Sequence, residues 1–232
     1  IRGAAETLRA SWDRLDEPTR ADLLGSIDDD VVRMTRFLAN ITELTRLESG
    51  QIVPRTAAVP ALDVVEAAIA RVPAAAHATV SVPDTGPPLL VAADPALLEQ
   101  VLVNVLDNAA KYSPDWSHIA VRIAPAPAPA AQPGAGPGSA AVAIAIADEG
   151  VGVPASDLPH LFDSFFRITR GDRVVPGTGL GLAIARGLVE AMGGRIVARS
   201  PRPDVPHDAA PGTLVTVTLP AAPVLPAAGA AP

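Results

Sequence analysis

The sequence predicts an α+β protein in which a two-layer α/β sandwich follows an α-helical hairpin. Two observations carry this prediction. Residues 1–50 show the three- and four-residue apolar spacing that is typical of long helices. After residue 50, helical and strand-like segments alternate irregularly and include hairpin-like pairs. This order fits a two-layer sandwich better than a parallel, doubly wound sheet.

The hairpin is predicted from two helices with a break between them. Residues 1–15 look like the end of one helix, and residues 16–18 (DEP) interrupt it. The second helix covers residues 19–49 and stops at Gly50. A helix of roughly 30 residues is about 45 Å long, too long to bury itself in a small core. We therefore expect two hairpins to pair as a four-helix bundle, and the alternative is a single hairpin that lies on its own domain. The expected seam comprises Leu24, Ile27, Val31, Met34, Leu38 and Ile41, extended by Leu44 and Leu47.

The composition allows a sizeable core and excludes some classes of binding partner. The 232 residues are 49% hydrophobic and 19% charged, although Ala and Pro inflate the first figure and only 3% are aromatic. A net charge of -7 argues against nucleic acid as a partner and offers no basic patch for anionic lipid. The absence of cysteine excludes disulfides and thiolate metal sites. No apolar run is long enough to span a bilayer and no signal peptide is visible, so we expect a soluble, cytosolic chain.

Residues 51–220 are expected to form the sandwich. The predicted elements are a strand within 51–60, a helix at 61–72, strands at 79–82 and 89–92, a central helix from 94, strands at 119–123 and 141–147, a turn at 157–161, a helix at 179–192 and strands at 195–200 and 213–219. Residues 124–140 are rich in Pro, Ala and Gly and have too little bulky apolar surface to fold. We expect them to be a solvated insertion between two strands, and residues 221–232 to be a disordered tail.

The central helix, with the sequence LEQVLVNVLDNAAKYS at 98–113, has an apolar face and a polar face. Asp94 is placed to cap it and Pro95 to occupy its first turn. Asn104, Asn108 and Lys111 are spaced i, i+4 and i+7, so they share a face. An amide oxygen suits a Mg²⁺ that is already bound to phosphates, and an ammonium group suits the phosphates themselves. The alternative is an ordinary helix with two solvent-facing amides.

Two glycine-rich segments follow the central helix. Residues 148–152 (DEGVG) come after a strand-like run, and residues 177–182 (GTGLGL) open a helix. Glycine allows a ligand to approach the backbone closely, and a helix N-terminus offers unpaired N–H groups to phosphate. Either segment alone is also compatible with a simple turn. The order and combination of the segments therefore say more about function than either segment does alone.

In that order, NxxxNAxKY, DxGxG and GTGLGL resemble the N, G1 and G2 boxes of sensor histidine kinases. These kinases belong to the wider GHKL ATPase superfamily, which also includes gyrase and MutL. The resemblance extends from about residue 6 to residue 220. It implies a Bergerat-type ATP-binding fold, with a mixed sheet and helices on one face. Residues 170–192 look most like the potassium-sensing Kdp sensor kinases.

The resemblance assigns roles to the candidate residues. Asp148 would accept the adenine amino group, and Gly150 and Gly152 would let the base or ribose approach the backbone. Asn108 would bind Mg²⁺. Tyr112 would cover the adenine or ribose, with core packing as the alternative. The complete nucleotide-binding set is Asn104, Asn108, Lys111, Tyr112, Asp148, Gly150, Gly152, Arg167, Gly177, Thr178, Gly179, Leu180 and Gly181.

Two further segments are interpreted through the same resemblance. Residues 161–167 (LFDSFFR) resemble the F box of the family, and they also fit a small aromatic core cluster. Residues 169–178 are expected to form a mobile lid. From this lid Arg167, Arg170 and Arg173 would reach the γ-phosphate, or they would simply form a solvated basic loop.

The phosphoacceptor histidine of the family is not found in this chain. Residues 44–50 (LTRLESG) resemble the close of the dimerisation helix, and residues 1–8 look like the segment just after the phosphoacceptor H box. We therefore expect residues 1–50 to be a truncated dimerisation and phosphoacceptor domain, with the acceptor upstream of Ile1. No catalytic residue is assigned, and this chain alone is not expected to autophosphorylate. Neither ligand spacing nor H-box surroundings mark His77, His118, His160 or His207, which we expect to be structural or surface residues.

Three functions are compatible with these observations. The first is the ATP- and Mg²⁺-dependent catalytic region of a homodimeric sensor histidine kinase, a cytoplasmic part of an inner-membrane protein that signals to a response regulator, in a potassium or osmotic response. The second is a nucleotide-binding dimerisation module without kinase activity. The third is another ATPase or protein kinase of the superfamily, and the long helical hairpin argues against it.

Overall fold

The computed structural model describes most of the chain. The chain consists of two compact units. The described residues are 1–75, 77–81, 87–114, 117–128, 140–168, 177–203 and 210–223. The two units are Ile1–Thr45 and Arg46–Pro232. Their boundary lies a few residues before the expected one at residue 50.

The first unit contains helix α1 and most of helix α2. Helix α1 spans Arg2–Ser11, a 3₁₀ turn follows at Trp12–Arg14, and α2 spans Glu17–Glu48. Asp16 stabilises the start of α2 because its carboxylate accepts a hydrogen bond from the Thr19 backbone at 3.0 Å. Hydrogen bonds from the Thr19 side chain and backbone lower the pKa of Asp16.

Half of the apolar seam that periodicity predicts on α2 is exposed in the single chain, and the partly buried half comprises Ile27, Ile41, Leu44 and Leu47. Met34 is 56% exposed and Leu38 is 60% exposed, and Leu24 and Val31 are exposed as well. Helix α2 is described along its whole length and contains no buried residue. A long stripe of exposed apolar side chains is typical of a surface that another helix covers.

The second unit is built on a mixed sheet, as predicted. Its strands are β1 (Ala57–Pro60), β2 (Thr79–Ser81), β3 (Leu90–Ala93), β4 (Ala120–Pro127), β5 (Ala140–Ala147), β6 (Arg195–Arg199) and β7 (Leu214–Pro220). Five of them form one sheet in the order β2-β4-β5-β7-β6, and β1 and β3 form a separate antiparallel pair. Within the larger sheet β2 and β4 are parallel, and every other neighbouring pair is antiparallel.

One face of the larger sheet forms the core. Ile144 of β5 lies opposite Ile123 of β4 and Val217 of β7, and all three side chains are buried. The next residue pair, Ala145 and Thr216, points to the other face and is partly exposed. This alternation is expected for a sheet that is covered on one side, because successive side chains point to opposite faces.

In the described part of the second unit three helices accompany the sheet, and α4 is central among them. They are α3 (Ala61–Ala70), α4 (Pro95–Tyr112) and α5 (Gly181–Ala191), and α4 packs against both others. Asp94 caps α4 as predicted, since its carboxylate accepts hydrogen bonds from the backbone N–H groups of Ala96 and Leu97. The face of α4 that is buried comprises Leu98, Val101, Leu102, Val105, Leu106 and Ala109. The site described below therefore rests on a helix that packing holds in place.

The strands extend into the predicted insertion. Strand β4 continues to Pro127, which lies opposite Ala140, the first residue of β5. The expectation that residues 124–127 and 140 belong to an unfolded insertion is therefore wrong, because a ladder between strands is held by backbone hydrogen bonds, which alanine residues can make. The remainder of the insertion, 129–139, lies outside the described residues.

The expectation that a disordered tail begins at residue 221 is wrong, because residues 221 and 222 are paired with β3. The backbone N–H of Ala222 donates to Leu90 O at 2.9 Å, and Ala221 forms a bridge with Val91. Ala222 is buried. Pairing with β3 thus fixes the chain just beyond β7, and residues 224–232 lie outside the described part. No helix in the described part is long and apolar enough to cross a membrane.

Candidate functional site

The polar face of α4 lies beside the start of α5. A β-carbon built on Gly181, the first residue of α5, would lie 3.6 Å from Asn104 Oδ1 and 3.7 Å from Asn108 Nδ2. The first N–H groups of a helix have no partner within the helix, and they carry the positive end of its dipole. The structure therefore brings the two predicted asparagines together with the glycine-rich segment at a place suited to an anion.

The two asparagine amides differ in which side-chain atom lacks a hydrogen-bond partner. Asn108 Nδ2 donates to Asn104 O at 2.9 Å, which leaves Asn108 Oδ1 as an acceptor. Asn104 Nδ2 is buried and has no hydrogen-bond partner. A buried donor without an acceptor costs about 1–3 kcal/mol. The atom of this amide that lies nearest to Gly181 is Asn104 Oδ1.

The donor set fits a magnesium ion that arrives together with phosphates. Among the described residues no group of three His, Cys, Asp or Glu side chains could hold a metal by itself. Asn108 Oδ1 offers one hard, neutral oxygen, and Mg²⁺ commonly binds through one or two protein oxygens plus substrate phosphates. Asn108 is therefore a suitable ligand for a nucleotide-bound Mg²⁺, and this role stays a prediction.

Lys111 and Tyr112 lie at the last turn of α4. The Lys111 ammonium forms an ion pair with Asp107, and both side chains are partly exposed, so an anionic ligand can compete for it. The Tyr112 side chain is 38% exposed. The alternative that Tyr112 is a core residue is therefore wrong, and its ring is accessible.

Asp148 is a buried carboxylate directly after β5. It is 7% exposed and is the only buried charged residue in the described part of the chain. Its Oδ1 accepts hydrogen bonds from the backbone N–H groups of Gly150 at 2.8 Å and Thr213 at 3.0 Å. Burial raises the pKa of Asp148 above the usual range, while these two bonds and the charge of Arg202 oppose the rise. Because both bonds use Oδ1, Oδ2 is the oxygen left for an amino group.

Gly150 is the point where Asp148 meets the end of α4. A β-carbon on Gly150 would lie 2.5 Å from Tyr112 O and 2.9 Å from Asp148 Oδ1. No side chain fits in that space, so the position requires glycine. The predicted G1 and N segments thus meet through their backbones.

Gly152 is the point where the same loop approaches the end of β6. It has a φ of +68°, and a β-carbon there would lie 2.7 Å from Ser200 Oγ. Ser200 Oγ accepts a hydrogen bond from the Val153 backbone at 2.8 Å and donates to Gly212 O at 2.7 Å. The hydroxyl group therefore connects the loop after β5 with the segment before β7.

Gly179 holds the predicted F-box segment against the start of α5. It has a φ of +70°, and a β-carbon there would lie 2.8 Å from Phe165 C. The Phe165 backbone donates to Gly179 O at 2.9 Å, and Phe165 itself has a φ of +65°. Such a φ is rare for an aromatic residue. The aromatic-core alternative is wrong, because Phe165 is 58% exposed and neither Phe162 nor Phe166 is buried.

The remaining residues of the GTGLGL segment have distinct surroundings. Thr178 Oγ1 accepts a hydrogen bond from the Leu180 backbone at 3.3 Å, and Leu180 is fully buried. Leu180 therefore anchors the start of α5 in the core. Nothing lies within 4 Å of a β-carbon built on Gly177, so the space there does not require glycine.

Part of the predicted lid cannot be compared with the structure. Arg167 is exposed. Residues 169–176, which include Arg170 and Arg173, lie outside the described residues.

The histidines of the described part are surface residues. His77, His118 and His160 are exposed. The His160 ring contacts the Asp163 carboxylate at 2.8 Å, and the His118 ring contacts the Thr79 hydroxyl. His207 lies outside the described part.

Three residues of this site were missed by sequence reasoning, namely Ser200, Gly212 and Thr213. Gly212 and Thr213 directly precede a strand, so they resemble an ordinary turn. Ser200 reaches the loop at 150–153 only because β6 and β7 are neighbours in the sheet. No local pattern carries that information.

Comparison with known families defines the class of protein. Residues 93–223 match the family described as histidine kinase-, DNA gyrase B-, and HSP90-like ATPases. The match covers more than half of the chain and includes α4, Asp148 and the start of α5. The chain therefore belongs to this ATPase family.

Within the family, the similar proteins are sensor histidine kinases. Sensor protein KdpD of Clostridium acetobutylicum is 32% identical over 204 residues, which is 85% of this chain and 21% of that protein. The histidine-protein kinase/phosphatase MprB of Mycobacterium avium is 30% identical over 239 residues, which is 100% of this chain and 42% of that protein. The chain thus spans less than half the length of these relatives.

Solved structures agree with this assignment. The mycobacterial sensor histidine kinase MprB has 30% identity and a TM-score of 0.54, and the match covers 72% of this chain and 99% of that one. Full-length ShkA in complex with AMPPNP has 22% identity and a TM-score of 0.64, over 90% of this chain and 40% of that one. The second similarity supports the fold alone.

Proposed function

We propose that this chain is the ATP-binding catalytic region of a sensor histidine kinase, which transfers the γ-phosphoryl group of ATP to a histidine in two-component signalling. The observation that carries the proposal is the meeting of three segments on α4. Asn104 and Asn108 flank Gly181, and Gly150 packs against the C-terminal end of the same helix. The family match and the sensor kinase relatives support the choice of ATP as the ligand.

The adenine end of this site would be Asp148. Its carboxylate lies in a buried position with Oδ1 held by two backbone N–H groups. An ionised Oδ2 would accept the amino group of adenine and would repel the carbonyl oxygen that guanine carries at the same position. Tyr112 lies next to Gly150 and offers an accessible ring for the base or ribose.

The phosphate end would be the start of α5. The first backbone N–H groups of α5 would be its donors. We assign the Lys111 ammonium, at the last turn of α4, to the same end, where it would exchange Asp107 for phosphate. Bound Mg²⁺ neutralises charge on the phosphates, and Asn108 Oδ1 is the oxygen that would hold it. Phosphoryl transfer needs mainly positioning and charge stabilisation, so a site of neutral amides and N–H donors is sufficient.

The partners of the whole protein belong to the same proposal. The exposed seam on α2 supports pairing of two copies. A response regulator would receive the phosphoryl group, and the parent protein would be anchored in a membrane. The similarity to sensor protein KdpD of Clostridium acetobutylicum, 32% identical over 204 residues, supports a potassium or osmotic stimulus.

Calorimetric titration of the chain with Mg-ATP and Mg-GTP tests the binding step. We expect ATP to bind and GTP to bind more weakly. Gly181→Val should abolish ATP binding, because its side chain would fill the space beside the two asparagines. Arg186→Val, a β-branched substitution on the exposed side of the same helix, is the matched control and should bind normally.

Transfer is tested separately with γ-labelled ATP and an added phosphoacceptor domain from a sensor histidine kinase. Acid-labile label on the added domain supports the kinase. ATP binding without any transfer would leave a binding module, and absence of ATP binding would refute the proposed function altogether.

A further inference from the structure

Helix α4 carries a carboxylate on the face that we assign to the phosphates. Four side chains of this face, Asn104, Asp107, Asn108 and Lys111, lie within about 100° of the helix circumference. Asp107 is three residues after Asn104 and four residues before Lys111, so it neighbours both on the helix surface. A negative charge at this place opposes the binding of phosphate groups.

Asp107 is paired with the lysine of the same face. Lys111 Nζ donates to Asp107 Oδ2, and each of the two side chains is 34% exposed. The first turn of α5, which borders this face at Gly181, contains no acidic residue. The other acidic residue of α4, Glu99, lies about 180° round the helix from Asn108. Asp107 is therefore the only carboxylate that α4 and the first turn of α5, both described throughout, bring to this face.

A phosphate group and Asp107 compete for the same ammonium group. Lys111 can pair with the carboxylate in the free chain or with a phosphate oxygen in the complex. The exchange takes this partner from Asp107 and leaves its negative charge beside the phosphates. Bound Mg²⁺ neutralises part of the charge on the phosphates, so Mg-ATP is repelled less than metal-free ATP. A carboxylate at this place therefore distinguishes the two forms of the nucleotide.

We propose that Asp107 is a specificity-determining residue of the nucleotide site: its carboxylate holds Lys111 in the free chain and selects Mg-ATP against metal-free ATP. The proposal rests on the proposed function, since it concerns the ligand of the same site. The alternative is that Asp107 is itself an oxygen ligand of Mg²⁺, and loss of its charge would then weaken the binding of Mg-ATP. The ion pair between Asp107 and Lys111 favours the role as a competitor.

Titrations of the chain with Mg-ATP, with ATP in EDTA and with adenosine measure this selection. Asp107→Asn keeps the size of the side chain and removes its charge. This variant should bind Mg-ATP roughly two- to fivefold more tightly than the wild type, the factor that corresponds to a partly exposed ion pair. The binding of metal-free ATP should tighten by a larger factor. The binding of adenosine, which carries no phosphate, should not change.

Two further variants and a salt series are the controls. Asp107→Glu retains the charge and should keep the wild-type preference for Mg-ATP. Glu99→Gln removes the other carboxylate of α4 and its ion pair with Arg71, which joins Glu99 Oε1 to Arg71 Nη1 at 2.9 Å, but it should bind all three ligands normally. Higher ionic strength should reduce the difference between Asp107→Asn and the wild type, because salt screens partly exposed charges. A merely structural role would change adenosine binding as well and would not respond to salt in this way.

The outcomes separate this inference from the proposed function, and thermal unfolding checks that each variant is folded. Tighter binding of ATP by Asp107→Asn, with a smaller preference for Mg-ATP, supports the inference. Weaker binding of Mg-ATP alone would identify Asp107 as a metal ligand and refute the role as a competitor. Unchanged affinities in a variant that still binds ATP refute the inference while the proposed function stands. A wild-type chain that binds no ATP refutes the proposed function and removes the role of Asp107 with it.

Discussion

Replacement of Asp148 by asparagine should weaken nucleotide binding and at the same time stabilise the free protein. The asparagine keeps an oxygen that can accept the hydrogen bonds from Gly150 and Thr213, which now join Asp148 Oδ1 at 2.8 and 3.0 Å. It removes the negative charge and places an amide NH₂ group where Oδ2 was. The loss of the charge affects the stability of the fold, and the new amide NH₂ group affects recognition of the base.

The loss of affinity follows from one hydrogen bond. A hydrogen bond to a charged group contributes about 1.5–3 kcal/mol, which corresponds to about 10- to 150-fold in Kd. We expect Asp148→Asn to weaken Mg-ATP binding by that factor. The NH₂ group of the variant can donate to the guanine oxygen, so GTP binding should not weaken, and the preference for adenine should fall.

The gain in stability follows from the direction of the pKa shift. Burial raises the pKa of Asp148 in the folded chain above its value in the unfolded chain. The folded state therefore holds the proton more tightly, and wild-type stability decreases as the pH rises from the unfolded to the folded pKa. Each unit of difference corresponds to about 1.4 kcal/mol, and each kcal/mol corresponds to about 2–4 °C in Tm for a chain of this size.

Calorimetric titration and thermal unfolding at several pH values check both effects. At pH 7 the free Asp148→Asn chain should melt above the wild type, and the difference should shrink as the pH falls below the folded pKa of Asp148. Glu66→Gln removes a carboxylate charge from an exposed position in the middle of α3 and should change neither property. If Asp148→Asn melts lower at pH 7, or binds ATP as tightly as the wild type, the assigned role of Asp148 is wrong.

Three further predictions concern the metal, the seam and the lid. Asn108→Asp should change the ATP affinity by one factor when Mg²⁺ is present and by a different factor when EDTA has removed it, and the preference for adenine should remain. If this variant lost as much adenine selectivity as Asp148→Asn does, its role as a metal ligand would be contradicted. Leu38→Asp should convert a dimer to a monomer in light scattering, whereas Ala39→Asp, one residue further round α2, should not; a monomeric wild-type chain would exclude pairing through the seam. Amide exchange across residues 169–178 should slow when a non-hydrolysable ATP analogue and Mg²⁺ are added, and less with ADP; unchanged exchange would show that this segment is not a lid.

Most of the fold follows from local sequence because its elements begin and end at residues with specific backbone properties. Asp94 and Pro95 begin α4 at the predicted residue. Gly50 and Gly193, with φ values of +66° and +72°, lie two residues after the ends of α2 and α5 and allow the left-handed turn that ends a helix. The apolar spacing of α4 also predicts the face that is buried.

The remainder depends on contacts between distant segments. Arg202 is next to Asp148 only because β7 returns the chain to the end of β5. Phe165 belongs to a motif that the sequence shows, but its positive φ follows from a hydrogen bond to Gly179. The ladder between Pro127 and Ala140 was overlooked because side-chain composition says little about backbone pairing.

The energetically unfavourable features of the fold are concentrated around the candidate site. In the described part of the chain, three of the four buried side-chain polar atoms without partners, Asn104 Nδ2, Ser113 Oγ and Arg202 Nε, belong to residues of α4, its end, or the neighbourhood of Asp148. The buried charge of Asp148 and the positive φ of Phe165, which costs about 1–3 kcal/mol, lie in the adjoining segments.

Each of these groups makes the free protein less stable than a hydrogen-bonded group at the same place would. A bound ligand that supplied the missing partners would offset this cost, because interactions that the free protein lacks then contribute to binding rather than to folding. The free protein is correspondingly less stable than its packing allows. Ligand at 100 times its Kd would recover about 2.7 kcal/mol through binding to the folded state alone. Local destabilisation around α4 is thus the expected physical consequence of keeping this site ready for a nucleotide.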